Sequence, residues 1–463
     1  MLRKSKTILT LALVLVLCLA GIQTALAEVN SSGAVIGTEA KPAQAAISKV
    51  LKVPFGTKVP NATFEFLVTS ISMDSQLCDK DHPNMPTIGK VDTNKYPANT
   101  GFVDLELGKA NNSGEKLMNE NTNGTSTWVH ETANIFDGVA WQHAGIYRYE
   151  ITEKGLTYSI ADPTMETMTY STAKYTLDVY VREYTNRPGE FYVYAIAAVI
   201  TVVDHDGQTG GDKVDPTPGG NEITMTGYSD MTFTNNYWKH NGGTDPKDPN
   251  AWTLAVKKIV AGTFGNKETY FDFKMTVTKP SLVPDTPTKT YNAYIVEVDS
   301  SGKFTVVTDL TGNKLTASGT DKYDYPFVTF TSGEEKTFSL KDSQYLVFLD
   351  TTVGATYKIT ELASAFYQPS AEVFYNGASI GVETKDKNTT LTIPDVGNTV
   401  LNKPLYVGES GNSANFKNTR DDVTPTGLNL NNIPFIAMIA LAIAPLVLFV
   451  AFKSCKRGSC TKF

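Results

Sequence analysis

Lysine, glutamate and asparagine occur twice along this chain in the same order, each at a position that strand alternation places among apolar side chains. The two sets are Lys49, Glu153 and Asn235, and then Lys258, Glu361 and Asn418. Alternate residues of a β-strand face the same side of its sheet, so Lys49 would face a core together with Ile47 and Leu51. A buried charge is too costly to leave unpaired. Two matched triads therefore indicate that the three side chains of each set act together chemically.

The two ends of the chain predict export. Residues 1–27 begin with basic residues, continue through an apolar run and end in Ala25-Leu26-Ala27, the pattern of a secretory signal peptide with its cleavage site. Residues 433–452 form an apolar run of 20 residues, which predicts a transmembrane helix. The basic residues that follow are typical of a helix that ends on the cytoplasmic side. These residues are Lys453, Lys456, Arg457 and Lys462.

Just before this apolar run lies Val423-Thr-Pro-Thr-Gly427. A Pro-Thr-Gly motif, an apolar helix and a basic tail in this order resemble the cell-wall sorting signal of Gram-positive surface proteins, so residues 423–463 would form that signal. In that family a sortase cysteine attacks the Thr–Gly bond, here Thr426–Gly427, and passes the new carboxyl end to an amine. The commonest motif is Leu-Pro-x-Thr-Gly, and the variant in this chain matches forms found among pilins. An ordinary single-pass membrane protein is the alternative.

The exported part is predicted to be all-β. Of the 4 cysteines only Cys78 lies in it, so it has no internal disulfide and any covalent staple must be made from other residues. The chain has 22 Tyr, 22 Phe and many short alternating runs broken by Gly, Asn, Asp and Pro, which favour β-sandwich domains. Residues 294–298 and 304–307, joined by a Gly-containing turn, predict a hairpin.

The spacing of the triads indicates one domain type used twice. A polar, Gly/Pro-rich stretch over 239–250 predicts a linker, with one domain over 28–238 and another over 251–422. The Lys-to-Glu separations nearly match, since 153 − 49 = 104 and 361 − 258 = 103. The Glu-to-Asn separations differ, since 235 − 153 = 82 and 418 − 361 = 57. The excess includes a Gly/Pro-rich loop over 204–222, which indicates an insertion in the first copy.

The segments around the triads resemble streptococcal-type backbone pilins. Those that carry the resemblance are 47–49, 60–66, 145–153 and 233–235 in the first domain, and 254–258, 338–342, 353–361 and 416–418 in the second. The resemblance implies two tandem Ig-like (CnaB-type) β-sandwiches, each locked by a Lys–Asn isopeptide bond. Lys49 would be joined to Asn235 beside Glu153. Lys258 would be joined to Asn418 beside Glu361.

The residue types also account for this chemistry physically. A lysine amine is a nucleophile only when it is unprotonated, and burial lowers its pKa from about 10.4. A buried carboxyl has a raised pKa, so it can stay protonated and donate a hydrogen bond to the asparagine carbonyl. Folding supplies the proximity, and ammonia leaves without an external enzyme. The alternative for each triad is a Lys–Glu ion pair with a hydrogen-bonded asparagine.

A pilus shaft of the resembled family also needs an acceptor lysine for Thr426 of the neighbouring subunit. In that family the lysine lies in the first domain, in the loop before its last strand. The corresponding region, 204–230, contains only Lys213, in a loop that is predicted to be exposed and flexible. Lys239 and Lys95, the latter in Lys95-Tyr-Pro-Ala-Asn99, are the rival candidates.

The resemblance implies a structural protein and not an enzyme. It would be a cell-surface pilin of a Gram-positive bacterium that supports adhesion and colonisation, with sortase, copies of itself and peptidoglycan as partners. It would contact the membrane only before sorting, and a host ligand is not specified. A wall-anchored adhesin or ancillary pilin that does not polymerise is the alternative. Scattered histidines and missing nucleotide motifs predict no metal and no cofactor. A net charge of −7 without a basic patch outside the termini argues against nucleic-acid binding.

Overall fold

The computed structural model describes residues 28–29, 34–78, 85–108, 116–204, 209–219, 227–394, 403–421 and 433–457. The signal peptide 1–27 and the motif 423–427, with Thr426 and Gly427, lie outside these residues. The described part is almost entirely β-structure, in two groups of strands. Between the groups lies a short 3-10 helix, Pro249–Ala251.

The first domain contains two sheets that pack against each other. Its strands are β1 (Glu28–Val29), β2 (Val35–Ile36), β3 (Ser48–Pro54), β4 (Ala62–Met73), β5 (Gln76–Leu77), β6 (Thr100–Leu107), β7 (Lys116–Thr122), β8 (Thr125–Glu131), β9 (Gly145–Lys154), β10 (Glu166–Thr169), β11 (Lys174–Tyr184), β12 (Arg187–Val202), β13 (Lys213–Val214) and β14 (Thr232–Lys239). The 9-stranded sheet has the order β1-β2-β12-β11-β9-β4-β5, with β13 beside β12 and β6 beside β4. The 5-stranded sheet has the order β10-β14-β3-β8-β7.

The second domain repeats this division. Its strands are β15 (Leu254–Ala261), β16 (Phe271–Thr278), β17 (Thr290–Val298), β18 (Phe304–Val306), β19 (Gly319–Thr320), β20 (Pro326–Thr331), β21 (Glu335–Leu340), β22 (Gln344–Phe348), β23 (Thr356–Glu361), β24 (Gln368–Tyr375), β25 (Ala378–Thr384), β26 (Leu391–Ile393), β27 (Leu405–Tyr406) and β28 (Ser413–Thr419). The 9-stranded sheet has the order β19-β20-β17-β22-β15-β28-β24-β25, with β18 beside β17. The 5-stranded sheet has the order β21-β16-β23-β26, with β27 beside β23.

Alternation along the strands builds a core between the two sheets of each domain. β4 alternates buried and half-buried side chains over all 12 of its residues, as expected of a strand with one face on a core. Apolar side chains from both sheets of each domain meet in a continuous core. The predicted all-β architecture of tandem sandwiches is therefore confirmed. The predicted hairpin is confirmed as well, since β17 pairs antiparallel with β18.

In each domain the strand that carries the triad lysine runs parallel to the last strand. β3 is parallel to β14, with Leu51 opposite Asn235. β15 is parallel to β28, with Val260 opposite Asn418. The triad lysine lies two residues before that opposite residue in both domains. The lysine and the asparagine therefore share the inward face of adjacent strands.

The C-terminal helix α1 (Ile433–Arg457) is 25 residues long and contains Pro445. Its side chains are described for residues 437–453. Among the residues whose side chains the structure describes, no helix is long and apolar enough to cross a membrane. The predicted apolar segment 433–452 lies within this helix.

Candidate functional site

The first triad lies between the two sheets of the first domain. Lys49 on β3 and Asn235 on β14 come from the 5-stranded sheet, and Glu153 on β9 comes from the 9-stranded sheet. Nζ of Lys49 lies 2.7 Å from Oε2 of Glu153, and Nδ2 of Asn235 donates to Oε1 of Glu153 at 2.8 Å. All three side chains are fully buried. The carboxylate therefore bridges the amine and the amide.

The surroundings of Lys49 make its neutral form more accessible than in an exposed lysine. Burial lowers the pKa of Lys49 to about 8, although the Glu153 carboxylate opposes this shift. The ring of Phe64 lies 4.6 Å from Nζ and occupies space that water would otherwise fill. With a pKa near 8, about one tenth of the amine is unprotonated at neutral pH, compared with less than about 0.1% for an exposed lysine.

A backbone donor orients the amide of the first triad. The N–H of Ser171 donates to Oδ1 of Asn235 at 2.7 Å. Because this N–H can be accepted only by the amide oxygen, it turns Nδ2 of Asn235 toward Glu153. It also polarises the carbonyl, as a donor in an oxyanion hole does. The Ser171 hydroxyl in turn donates to Asp204.

The second triad repeats the arrangement. Lys258 on β15 and Asn418 on β28 come from one sheet, and Glu361 on β23 comes from the facing sheet. Nζ of Lys258 lies 2.7 Å from Oε1 of Glu361, and all three residues are buried. In both domains the lysine and asparagine lie on parallel neighbouring strands, with the glutamate across the core.

Burial favours the uncharged forms of the second pair. It raises the pKa of Glu361, against the opposing effects of Lys258 and Asn418, and it lowers the pKa of Lys258, against the opposing charge of Glu361. Among the described residues, Oε2 of Glu361 and Oδ1 of Asn418 have no hydrogen-bond partner.

Each triad packs against two phenylalanines on a neighbouring strand. These are Phe64 and Phe66 on β4, and Phe271 and Phe273 on β16. The second ring of each pair lies opposite the triad glutamate in the strand register, and the Phe271 ring lies 4.1 Å from Nζ of Lys258. Their role in desolvating the lysine was missed from sequence. The signal was a Phe-Glu-Phe or Phe-Asp-Phe sequence shortly after each lysine.

The three candidate acceptor lysines lie in different settings. Lys213 is exposed and belongs to β13, which pairs with β12, so it lies in a short strand and not in the predicted flexible loop. The side chain of Lys95 is 57% exposed, and its Nζ is 3.6 Å from Glu65. The side chain of Lys239 is 18% exposed and pairs with Glu409 of the second domain at 2.8 Å. Lys239 is therefore the least accessible of the three.

The described residues contain no group of three or more His, Cys, Asp or Glu side chains placed to hold a metal ion. The two triads bring together an amine, a carboxyl group and an amide. In such a set the amine nitrogen of the lysine can replace the amide nitrogen of the asparagine. Burial of the side chains keeps water out of both sites.

The chain is similar to one family model and to solved structures of pilus proteins. A family model described as a domain of unknown function (DUF7601) matches residues 252–399, and no curated protein matches the chain. The major pilin from Streptococcus pyogenes is similar at 16% identity, covering 82% of this chain and 99% of that one, with a TM-score of 0.29. A pilus-presented adhesin is similar at 12% identity, covering 54% of this chain and 36% of that one, with a TM-score of 0.20. At these values the function proposed below rests on the geometry of the triads.

Proposed function

We propose that each triad forms an intramolecular amide bond between its lysine and its asparagine. The neutral lysine Nζ attacks Cγ of the asparagine, the bond from Cγ to Nδ2 breaks, and the nitrogen leaves as ammonia with a proton that came from the amine. Glu153 or Glu361 carries that proton between the two nitrogens. The reaction balances without an oxidant, a metal or a second substrate.

The observation that carries this proposal is the repetition of the site. Two unconnected cores each hold a buried lysine 2.7 Å from a buried glutamate, with the asparagine on the adjacent parallel strand. A buried ion pair often contributes less to the stability of the folded protein than apolar residues of the same volume. Two such pairs in the cores are therefore costly unless they have a chemical role. Amide formation removes the positive charge of the lysine from the core, so that the glutamate carboxylate is no longer required to balance it.

The mass of the intact protein tests the proposal. Residues 28–426 should weigh less than the sequence mass by two ammonias, and Glu153→Ala or Glu361→Ala should each restore one. Glu131→Ala, a partly exposed glutamate of the first domain, is the control and should leave the mass loss unchanged apart from the substitution. A wild-type mass equal to the sequence mass would contradict the proposal.

We further propose that the chain is a structural pilin at the surface of a Gram-positive bacterium. Sortase would cleave between Thr426 and Gly427 and join Thr426 to a lysine of the next copy, and finally to peptidoglycan. Each cross-link would tie the lysine-bearing strand of a domain to its last strand, so that tension along the fibre passes through covalent bonds. This function makes the protein a substrate of sortase and not an enzyme acting on other molecules.

An acceptor lysine separates this function from that of an adhesin that does not polymerise. We propose Lys213, because it is exposed on a sheet edge while Lys239 is held by Glu409. Lys213→Ala should abolish the high-molecular-mass ladder of cell-wall extracts, whereas Lys239→Ala should not. Loss of the ladder in Lys95→Ala alone would assign the role to Lys95. A ladder that persists in all three variants would favour the non-polymerising adhesin.

A further inference from the structure

Exposed apolar side chains gather at the end of the second domain where the chain leaves it. Phe264 is 49% exposed and Phe366 is 60% exposed, and outside α1 these are the two exposed phenylalanines among the described residues. Tyr270 and Leu362 are also exposed at this end. Tyr270 directly precedes β16, and the N–H of Leu362 donates to the backbone of Asp272 in that strand.

Arg420 joins the two phenylalanine-bearing loops. The N–H of Phe264 donates to the backbone oxygen of Arg420 at 3.0 Å. The guanidinium of Arg420 lies 5.0 Å from the centre of the Phe366 ring. Its Nε is buried and has no hydrogen-bond partner among the described residues. We call Phe264, Tyr270, Leu362, Phe366 and Arg420 the end patch. A cluster of exposed apolar side chains around a guanidinium is typical of an interaction surface.

The length of the chain that follows limits how far the next copy can lie from the end patch. The described domain ends at Asp421, whose carboxylate accepts from the N–H of Thr263 beside Phe264. The proposed sortase bond is made at Thr426, and 426 − 421 = 5 residues. Five extended residues span at most about 18 Å. The acceptor lysine of the next copy must therefore lie within about 18 Å of Asp421, which brings the two copies together at this end.

We propose that the end patch docks onto the first domain of the next copy, on the surface around its acceptor lysine. This inference rests on the proposed polymerisation. The surface beside Lys213 offers a complementary chemistry. Val202, the last residue of β12, and Val203 after it are each 40% exposed, and Lys213 pairs with Val199 of the same strand. Asp212 adjoins Lys213 in the chain. Apolar side chains would meet Phe264 and Phe366, and a carboxylate would meet Arg420.

Photocrosslinking tests the contact directly. Phe264→p-benzoylphenylalanine is introduced into protein of which half is ¹⁵N-labelled, the protein is polymerised with sortase, and cross-linked peptides are identified by mass spectrometry. Mixed-isotope peptides joining position 264 to the first domain of another copy are expected. The control is the same substitution at Tyr323, which is 48% exposed in the turn between β19 and β20. Equal yields at both positions, or links only within one copy, would overturn the inference.

A second variant separates docking from polymerisation itself. Phe264→Ser with Phe366→Ser should lower the initial rate of polymer formation roughly tenfold relative to Tyr323→Ser, because two contact residues are lost. Both variants should keep the mass loss of two ammonias, which reports intact folding. If the wild-type protein forms no polymer, the proposed function fails. If it polymerises and the double variant does so at the rate of Tyr323→Ser, the docking surface fails.

Discussion

Burial of Lys49 sets the pH at which the first triad reacts. Its pKa is lowered to about 8, mainly by desolvation, and only the neutral amine attacks. Raising the pH increases the neutral fraction, so the rate of cross-link formation should rise about tenfold per pH unit below about pH 8 and level off above it.

The measurement uses protein recovered unfolded, before any cross-link has formed, and refolded over a series of pH values. Intact mass then counts the cross-linked fraction over time. Glu361→Ala isolates the first domain, and adding Asn235→Ala to that variant should yield no product at any pH. A rate that is constant from about pH 6 to about pH 9 would show that amine deprotonation does not limit the reaction.

Side-chain alternation was enough to place the triad residues from sequence, but not their surroundings. Lys49 and Asn235 were predicted to face inward because apolar residues flank them at every second position, and both are fully buried. Ser171 could not be predicted, because it lies between β10 and β11 and is 64 positions away from Asn235 in the sequence. The contacts of Phe64 and Phe271 required the register of neighbouring strands, which periodicity leaves open.

At the scale of elements, the cross-links join strands that are otherwise held by main-chain hydrogen bonds and by apolar packing. In the first domain β3 and β14 are parallel neighbours, and the bond would close a loop of 235 − 49 = 186 residues. A loop of that length, treated as for a disulfide, stabilises the folded domain by about 5 kcal/mol. Parallel pairing of these strands was not predictable, because their patterns fit either direction.

Hydrogen exchange of the terminal strands tests this role. In Glu153→Ala the amides of β3 and β14 should exchange faster, since the last strand can open without breaking a covalent bond. The amides of β15 and β28 should exchange as in the wild-type protein, and Glu361→Ala should give the reverse pattern. Faster exchange spread evenly over both domains would point to general destabilisation of the fold.

At the scale of the whole molecule, Glu409 connects the two domains. Its Oε1 accepts from the backbone N–H of Lys58 at 2.7 Å and pairs with Nζ of Lys239 at 2.8 Å. Its backbone oxygen accepts from the side chain of Asn241 at 2.9 Å. The rings of Phe55 and Tyr406 lie 4.8 Å apart across the same interface. The sequence predicted a linker here but not this contact, because Lys58 and Glu409 are 351 positions apart.

Glu409→Ala should loosen the interface while leaving both domains folded. Each triad lies within one domain, so neither cross-link holds the domains to each other, and the lost charge-assisted contacts are worth about 1–3 kcal/mol. Small-angle X-ray scattering should show a larger radius of gyration than for the wild-type protein, with the mass loss of two ammonias retained. Glu335→Ala, which breaks an exposed ion pair with Lys274 inside the second domain, should leave the scattering unchanged. Superimposable scattering of Glu409→Ala and the wild-type protein would mean that the remaining contacts, the rings of Phe55 and Tyr406 among them, fix the domain arrangement.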